Sequence, residues 1–494
     1  MNDELRDFRT HAHRLVDWMA DYLEGIGAYP VKAQVEPGEV SDQLPTTAPE
    51  HGEELDRIFA DFQTTLLPGV THWQHPKFFA YFPANSSVPS LLAEMLTATL
   101  GIQGMKWETS PASTELETRI LEWLRDAMGL PRGWTGVLQD TASTATLAAI
   151  LTARERITQF EINRKGFAGH SRFRIYCSQE THSSIEKGAK IAGVGSENVV
   201  KIAVNERLEM RPDRLQAAIE ADRAAGFVPL CIVAAFGTTS TLAIDPIEPL
   251  AEIARREQIW LHVDAAYAGT ALLLSEYQPL IAGLEHGDSF VFNPHKWMFT
   301  NFDCSAYFVK DPAALVNTFA ILPEYLKTAT DGQVANHCDW GVPLGRRFRS
   351  LKLWYVLRYY GLEGIRDKLR NHIHMAGSLA RRIESHPDFE LVAPRTMNLV
   401  VFRYAPSDRT EHELNTLNTE LLRRLNASGK LYLTHTKVGA IYCLRLVVGQ
   451  TYVTADDVEV AWGVVIRVAA SLSGYLSQKS KQHINQLHQN NFNN

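Results

Sequence analysis

Lys296 sits in "FNPHKWMF" (292–299), an apolar stretch with a histidine before the lysine and a tryptophan after it. A lysine there is costly unless its charge is paired, removed or used. Its ordinary use is to snorkel, stem along an apolar wall and ammonium in water. Its chemical use is to condense, as a neutral amine, with an aldehyde to form a Schiff base. Other reactive residues follow apolar runs in the same manner. His182 comes after "RIYCS", Thr238 and Thr239 after "CIVAAF", Asp264 after "IWLHV", and Asn293 and His295 just ahead of the lysine. Thr141, Ala142 and Ser143 open an apolar helical stretch after "GVLQ". Hydroxyls and N–H groups at a helix start can cradle a phosphate. A carboxylate can hold a pyridine nitrogen protonated, and an imidazole can stack on an aromatic ring. Aldehyde, phosphate and pyridine together describe pyridoxal 5′-phosphate. Singly, each residue has a commonplace role as a helix cap, a turn residue or a surface histidine. Their shared position after successive strands is what points to a site.

The elements that must hold these residues are legible as well. "RFRIYCS" (172–178), "PLCIVAAF" (229–236), "IWLHVD" (259–264) and "SFVFN" (289–293) read as strands, separated by amphipathic stretches such as "RPDRLQAAIEADRAAG". Short apolar strands alternating with helices predict an α/β fold with a mostly parallel central sheet. In such sheets ligands bind beyond the carboxyl ends of the strands. The opening "DELRDFRTHAHRLVDWMADYLEGIG" has helical periodicity. Residues to 85 then carry Trp73, Phe78, Phe79, Tyr81 and Phe82, too much aromatic surface to leave in water, which predicts a dimerisation segment. We expect a large domain over 86–370, a smaller α+β domain over 371–476 with strands "LVVFRY" and "YCLRLVV", and a mobile polar tail over 477–494.

Composition excludes several classes. The 494 residues are 45% apolar and 21% charged, with a net charge of −7. Nothing there, nor a pI near 6.2, favours nucleic acid. Five scattered cysteines without CxxC spacing argue against a disulfide framework or a zinc knuckle. No apolar run is long enough to span a bilayer. A cytoplasmic protein is expected. "HAH" (11–13) and "HIH" (372–374) put histidines at i and i+2, which do not share a helix face, so no metal is expected.

The chain resembles the group II pyridoxal-phosphate decarboxylases, nearest to the aromatic-L-amino-acid decarboxylases. The likeness rests on "HVDAAYAG" (262–269), "NPHKW" (293–297), "PGVTHWQHPKFFAYFP" (68–83), "SPASTELE" (110–117), "QDTASTATL" (139–147), "GTTS" (237–240) and "PLGRRFRSLKLW" (343–354). The resemblance implies fold type I, the aspartate-aminotransferase-like fold, in a homodimer with its active site at the subunit interface. It implies that Lys296 forms the internal aldimine, Asp264 pairs with the pyridinium nitrogen and His182 stacks on the ring. Thr239 and Ala266 would lie beside the ring; Thr141, Ala142, Ser143, Asn293 and His295 would bind the phosphate. Tyr325, in the loop-like stretch 321–340, matches the tyrosine that protonates the quinonoid carbon.

By the same likeness Trp73, Tyr81, Phe82, Pro83, Ala84, Gln103, Met105 and Gly345 line the substrate pocket. Ala84, Gln103 and Met105 depart from the threonine, isoleucine and phenylalanine of the animal dopa decarboxylases. Gly345 leaves room for a large ring, which disfavours histidine and keeps tryptophan, dopa, tyrosine and phenylalanine as substrates. The expected reaction is decarboxylation of an aromatic L-amino acid to its amine. The alternative is an aldehyde synthase, which couples decarboxylation to oxidative deamination. A glutamate-type decarboxylase, a cofactor-free aldolase and a non-catalytic relative fit the residues less well.

Overall fold

Unbroken apolar strands separated by helices build a seven-stranded sheet in this computed structural model, which describes residues 3–169, 172–321 and 334–472. The strands are β1 (Thr135–Gln139), β2 (Phe173–Ser178), β3 (Val199–Ile202), β4 (Val228–Ala235), β5 (Trp260–Asp264), β6 (Ser289–Phe292) and β7 (Ser305–Val309). Their spatial order is β1-β7-β6-β5-β4-β2-β3. β7 is antiparallel to both β1 and β6, and the remaining pairings are parallel. The carboxyl ends of β1, β2, β4, β5 and β6 therefore share one edge. β4, "VPLCIVAA", is buried at every position but its first. A strand covered by helices on both faces has no reason to alternate polar with apolar residues. Against one face lies the helix Ala142–Ile157, whose Ala145, Ala148, Ala149 and Ala153 are buried. Small side chains let its backbone lie close to the strands.

The chain divides into two compact units. The larger comprises Ala84–His374 and Ala393–Leu399; the other gathers residues up to Pro83, Met375–Val392 and residues from Val400 onward. Contacts join the residues up to Pro83 to the C-terminal elements of that unit. The reason lies at Phe79. Its N–H donates to the Tyr432 carbonyl at 3.0 Å, and its own carbonyl accepts from the Val447 N–H at 3.1 Å. Its ring belongs to the core formed with Leu421, Leu444 and Trp462. The smaller sheet has the order β10-β11-β9-β8, from β8 (Phe389–Leu391), β9 (Leu399–Tyr404), β10 (Thr434–Val438) and β11 (Ile441–Val447). Capping boxes, Thr410 with Glu413 and Thr454 with Asp457, open the helices Glu411–Ala427 and Ala455–Ala470.

The region after "SLKLWYVLRYYG" continues as helix. Arg349–Glu384 comprises two helices joined at Gly361, where φ is 64°, a positive φ that favours glycine. The histidines of "HIH" separate on the second helix, His372 buried and His374 exposed. No described helix is long and apolar enough to cross a membrane. The expected tail, 477–494, lies outside the described residues.

Candidate active site

β6 ends at Phe292, and the chain turns through Asn293 into the short helix Pro294–Trp297. Both neighbours of Lys296 are buried and bonded. His295 Nδ1 accepts from the Cys304 N–H at 2.9 Å. Trp297 Nε1 donates to His372 Nδ1 at 3.0 Å, and its indole stacks on Tyr267 with centroids 5.1 Å apart. The segment at 85–90 binds the same loop. Asn85 donates its N–H to the His295 carbonyl at 3.0 Å and its amide to the Lys296 carbonyl at 2.6 Å. Ser87 donates to the Phe299 carbonyl at 2.7 Å, and the Asn301 N–H donates to Ser90 Oγ at 2.7 Å. The backbone of Lys296 is thus pinned from two sides, while the residue itself stays partly exposed. Burial of its amine lowers the pKa, and Asp264 pulls it the other way. An amine held below its usual pKa is more readily neutral and nucleophilic.

Asp264 closes β5, the strand between β4 and β6, and is buried. Its Oδ1 accepts from the Ala266 N–H at 3.1 Å, and the Ala266 carbonyl accepts from the Asn293 N–H at 3.0 Å. Ala266 therefore ties the carboxylate strand to the lysine strand. His182, beyond β2, accepts at Nδ1 from the Ser184 N–H at 3.2 Å, which leaves Nε2 as the protonated nitrogen of the neutral ring. Burial of its ring lowers the pKa; Lys296 and Lys187 push it the same way and Asp264 opposes them. His182, Asp264 and Lys296 thus share one electrostatic environment. Thr238 is spent on its own turn, accepting from the Ala243 N–H at 3.1 Å, and Thr239 stays half-buried at the edge.

Thr141 caps the helix Ala142–Ile157 through Thr144. Ala142 and Ser143 are the first two helical residues, so their N–H groups have no carbonyl partner within the helix, and Ser143 is exposed. His295 is pushed down to about 3 by burial, with the Lys296 charge adding to it. It is therefore neutral, with a proton on Nε2 to donate. Asn293 is buried, and its Oδ1 has no partner. A helix start with free donors, two hydroxyls and a neutral imidazole fit pyridoxal phosphate, with Asp264 for its ring nitrogen and Lys296 for its aldehyde. Among the described residues no His, Cys, Asp and Glu side chains gather as a metal site.

Of the expected substrate residues, Gln103 and Gly345 lie together. A Cβ on Gly345 would stand 3.0 Å from Gln103 Nε2, and Gln103 Oε1 accepts from the Arg346 N–H at 2.5 Å. The Met105 carbonyl accepts from the Cys338 N–H at 2.9 Å. Cys338 belongs to a buried 3-10 helix, His337–Trp340, so the loop expected over 321–340 is shorter at its C-terminal end. Ala84, half-buried, precedes Asn85. Trp73, Tyr81, Phe82 and Pro83 belong to the other unit. There Trp73 and Tyr81 are exposed and stacked, with centroids 5.8 Å apart, and Phe82 and Pro83 are buried. Tyr325 lies outside the described residues. Sequence reasoning missed Asn85, whose partner is 211 residues away. It also missed the buried pair Glu117–Arg346, whose members lie in separate motifs 229 residues apart with nothing in the sequence to pair them.

The pyridoxal-dependent decarboxylase conserved domain matches residues 37–405. The chain belongs to this family. It is 42% identical to a phenylacetaldehyde synthase of Arabidopsis thaliana, over 94% of this chain and 96% of the relative. It is 41% identical to tyrosine decarboxylase 2 of Narcissus pseudonarcissus, over 93% of each. The crystal structure of Catharanthus roseus tryptophan decarboxylase in complex with L-tryptophan superposes with a TM-score of 0.89 at 38% identity, covering 94% of this chain and 98% of that one. The protein is thus a pyridoxal-phosphate-dependent carboxy-lyase, and the cofactor inferred from Lys296, Asp264 and the helix start is the cofactor of its family.

Proposed function

We propose that the protein decarboxylates aromatic L-amino acids, among them tryptophan, dopa, tyrosine and phenylalanine, to the corresponding amines and CO2. The observation that carries the reading is the gathering of Lys296, Asp264, His182 and the Thr141–Ser143 helix start at one sheet edge. The family and the printed activities of the relatives support it. When bound, pyridoxal phosphate supplies the electron sink for the carbanion left by CO2. The chain's own work is to hold and orient. Lys296 would hold the cofactor through its amine, and Asp264 would face the ring nitrogen and favour its protonated form. His182, Thr239 and Ala266 are assigned to the ring, and Thr141, Ala142, Ser143, Asn293 and His295 to the phosphate. Tyr325 is assigned to protonation at Cα.

We also assign a homodimer. Val88, Leu92, Met95, Leu96 and Leu100 expose apolar surface along one helix, and Tyr359 is 68% exposed. A second copy would cover such surface. A second reading, aldehyde synthase, is favoured by the phenylacetaldehyde synthase relative. Incubating the holoenzyme with tryptophan, dopa, tyrosine, phenylalanine, histidine and glutamate, and quantifying products by mass spectrometry, separates the readings. Amine from an aromatic substrate supports the proposal. Aldehyde with ammonia, at the expense of O2, transfers the assignment to the synthase. Product from glutamate or histidine alone overturns the aromatic reading.

A further inference from the structure

Beneath the site, a fully buried imidazole joins the three elements that carry its parts. His262 lies two residues before Asp264 on β5, so the two side chains leave the strand on the same face. Its Nδ1 is 2.9 Å from Ser289 Oγ on β6, the strand that leads to Lys296. Its Nε2 is 3.2 Å from Thr146 Oγ1, on the helix whose start is the candidate phosphate cradle. Trp260 Nε1, also on β5, donates to the same Ser289 Oγ at 3.0 Å. An indole nitrogen can only donate. Ser289 Oγ therefore accepts from Trp260 and is free to donate its own proton to His262 Nδ1. The imidazole then carries its proton on Nε2 and donates to Thr146. His262, Ser289 and Thr146 are all fully buried, where a bond left unmade is costly.

We propose that His262 is a positioning residue that sets the axial register of the helix Ala142–Ile157 against β5 and β6, and so the distance from the phosphate cradle to Asp264 and Lys296. The helix meets the sheet mainly through alanines, and a smooth alanine face fixes a spacing without fixing a position along the axis. A directional bond fixes both. Arg156, at the far end of the helix, pairs with Asp288 at 2.8 Å; Thr146–His262 is the polar anchor near the cradle. The phosphate and ring nitrogen of one small cofactor require a set distance between the groups that hold them. A slip of one residue along a helix is about 1.5 Å, enough to part them.

This inference rests on the cofactor site proposed above, and the test keeps the two apart. The affinity of the apoprotein for pyridoxal phosphate is titrated by fluorescence quenching, alongside its thermal midpoint, for the wild type, Thr146→Val, His262→Asn, His262→Gln and Thr152→Val. Thr152 is the control: it is equally buried on the same helix, but its hydroxyl bonds to the helix's own Ala148 carbonyl at 2.8 Å. Thr146→Val and His262→Asn should each weaken cofactor binding at least about tenfold, the scale of one buried hydrogen bond. His262→Gln keeps an amide donor at the Nε2 position and should stay within about threefold of the wild type. Thr152→Val should lower the midpoint and leave affinity unchanged. Equal affinities for Thr146→Val and Thr152→Val overturn the proposal, whatever the His262 variants do. A wild-type apoprotein that does not bind the cofactor overturns the site itself.

Discussion

Glu117→Gln offers a quantitative test of how the substrate segment is held. Glu117 is buried on the helix Pro111–Ala127. Its Oε1 accepts from the Leu138 N–H at 2.8 Å and from Arg346 at 2.7 Å, and its Oε2 accepts from Arg346 at 3.1 Å. Glutamine keeps the shape and one acceptor. It turns the other oxygen into a donor facing a guanidinium, and leaves Arg346 charged and buried. Removing one partner of a buried pair costs about 3–5 kcal/mol. The retained acceptor argues for the lower end, about 3 kcal/mol, measured as a shift in denaturant stability.

The pH dependence follows from the carboxyl's pKa. Burial, the largest single influence, raises it; the Arg346 and His337 charges and the hydrogen bonds from Arg346 and the Leu138 N–H together outweigh burial, and the net value lies below the ordinary one. A group with a depressed folded pKa contributes stability that is fully present above its unfolded pKa and lost as pH falls through the folded one. The deficit of Glu117→Gln should therefore be constant between about pH 5 and 8 and shrink only in more acid solution. His337 Nδ1 is 3.8 Å from the same carboxylate, but burial pushes its pKa down to about 4, so it is neutral over that range. Because the Arg346 N–H holds Gln103, KM for the amino acid should rise as well. A deficit below about 1 kcal/mol at neutral pH, or one that changes between about pH 6 and 8, would refute this reasoning by denying the pair its strength or giving the counter-charge to His337.

Other substitutions should act at single steps. Asp264→Ala should retain the visible absorbance of lysine-bound cofactor while kcat falls on the order of 10²-fold, the scale of losing one electrostatic stabiliser; equal loss of both would make Asp264 a mere binding residue. Gly345→Ala places a methyl 3.0 Å from Gln103 Nε2, so kcat/KM for tryptophan should drop about tenfold or more relative to phenylalanine; an unchanged ratio removes Gly345 from the pocket. Tyr325→Phe should divert product from amine toward aldehyde, read by mass spectrometry, and an unaltered amine yield would remove Tyr325 from the protonation step.

What the sequence disclosed and what it hid have physical reasons. β4 and β5 were legible because strands buried on both faces are unbroken apolar runs. β3 has four residues and a half-exposed pattern, and β7, "SAYFV", is a run of only five residues. Lys296, Asp264 and Thr141 stood out because Asp264 ends an apolar strand, Thr141 caps an apolar helix and Lys296 lies in the short helix just after a strand. The residues that hold them did not. Asn85 meets Lys296 across 211 residues and Thr146 meets His262 across 116, and no local pattern encodes a contact made by folding. The aromatic surplus of residues 68–83 was half explained: Phe78 and Phe79 are buried within this chain, whereas Trp73 and Tyr81 remain exposed.

Chemical mapping of the cofactor shows which lysine holds it. The holoenzyme is reduced with borohydride, digested, and searched by mass spectrometry for a pyridoxyl-lysine peptide. The label is expected on Lys296, within "FNPHKWMF", and should be lost when the enzyme is saturated with an aromatic amino acid before reduction. A label on another lysine, or none on an enzyme that still releases CO2, would contradict the assignment of Lys296.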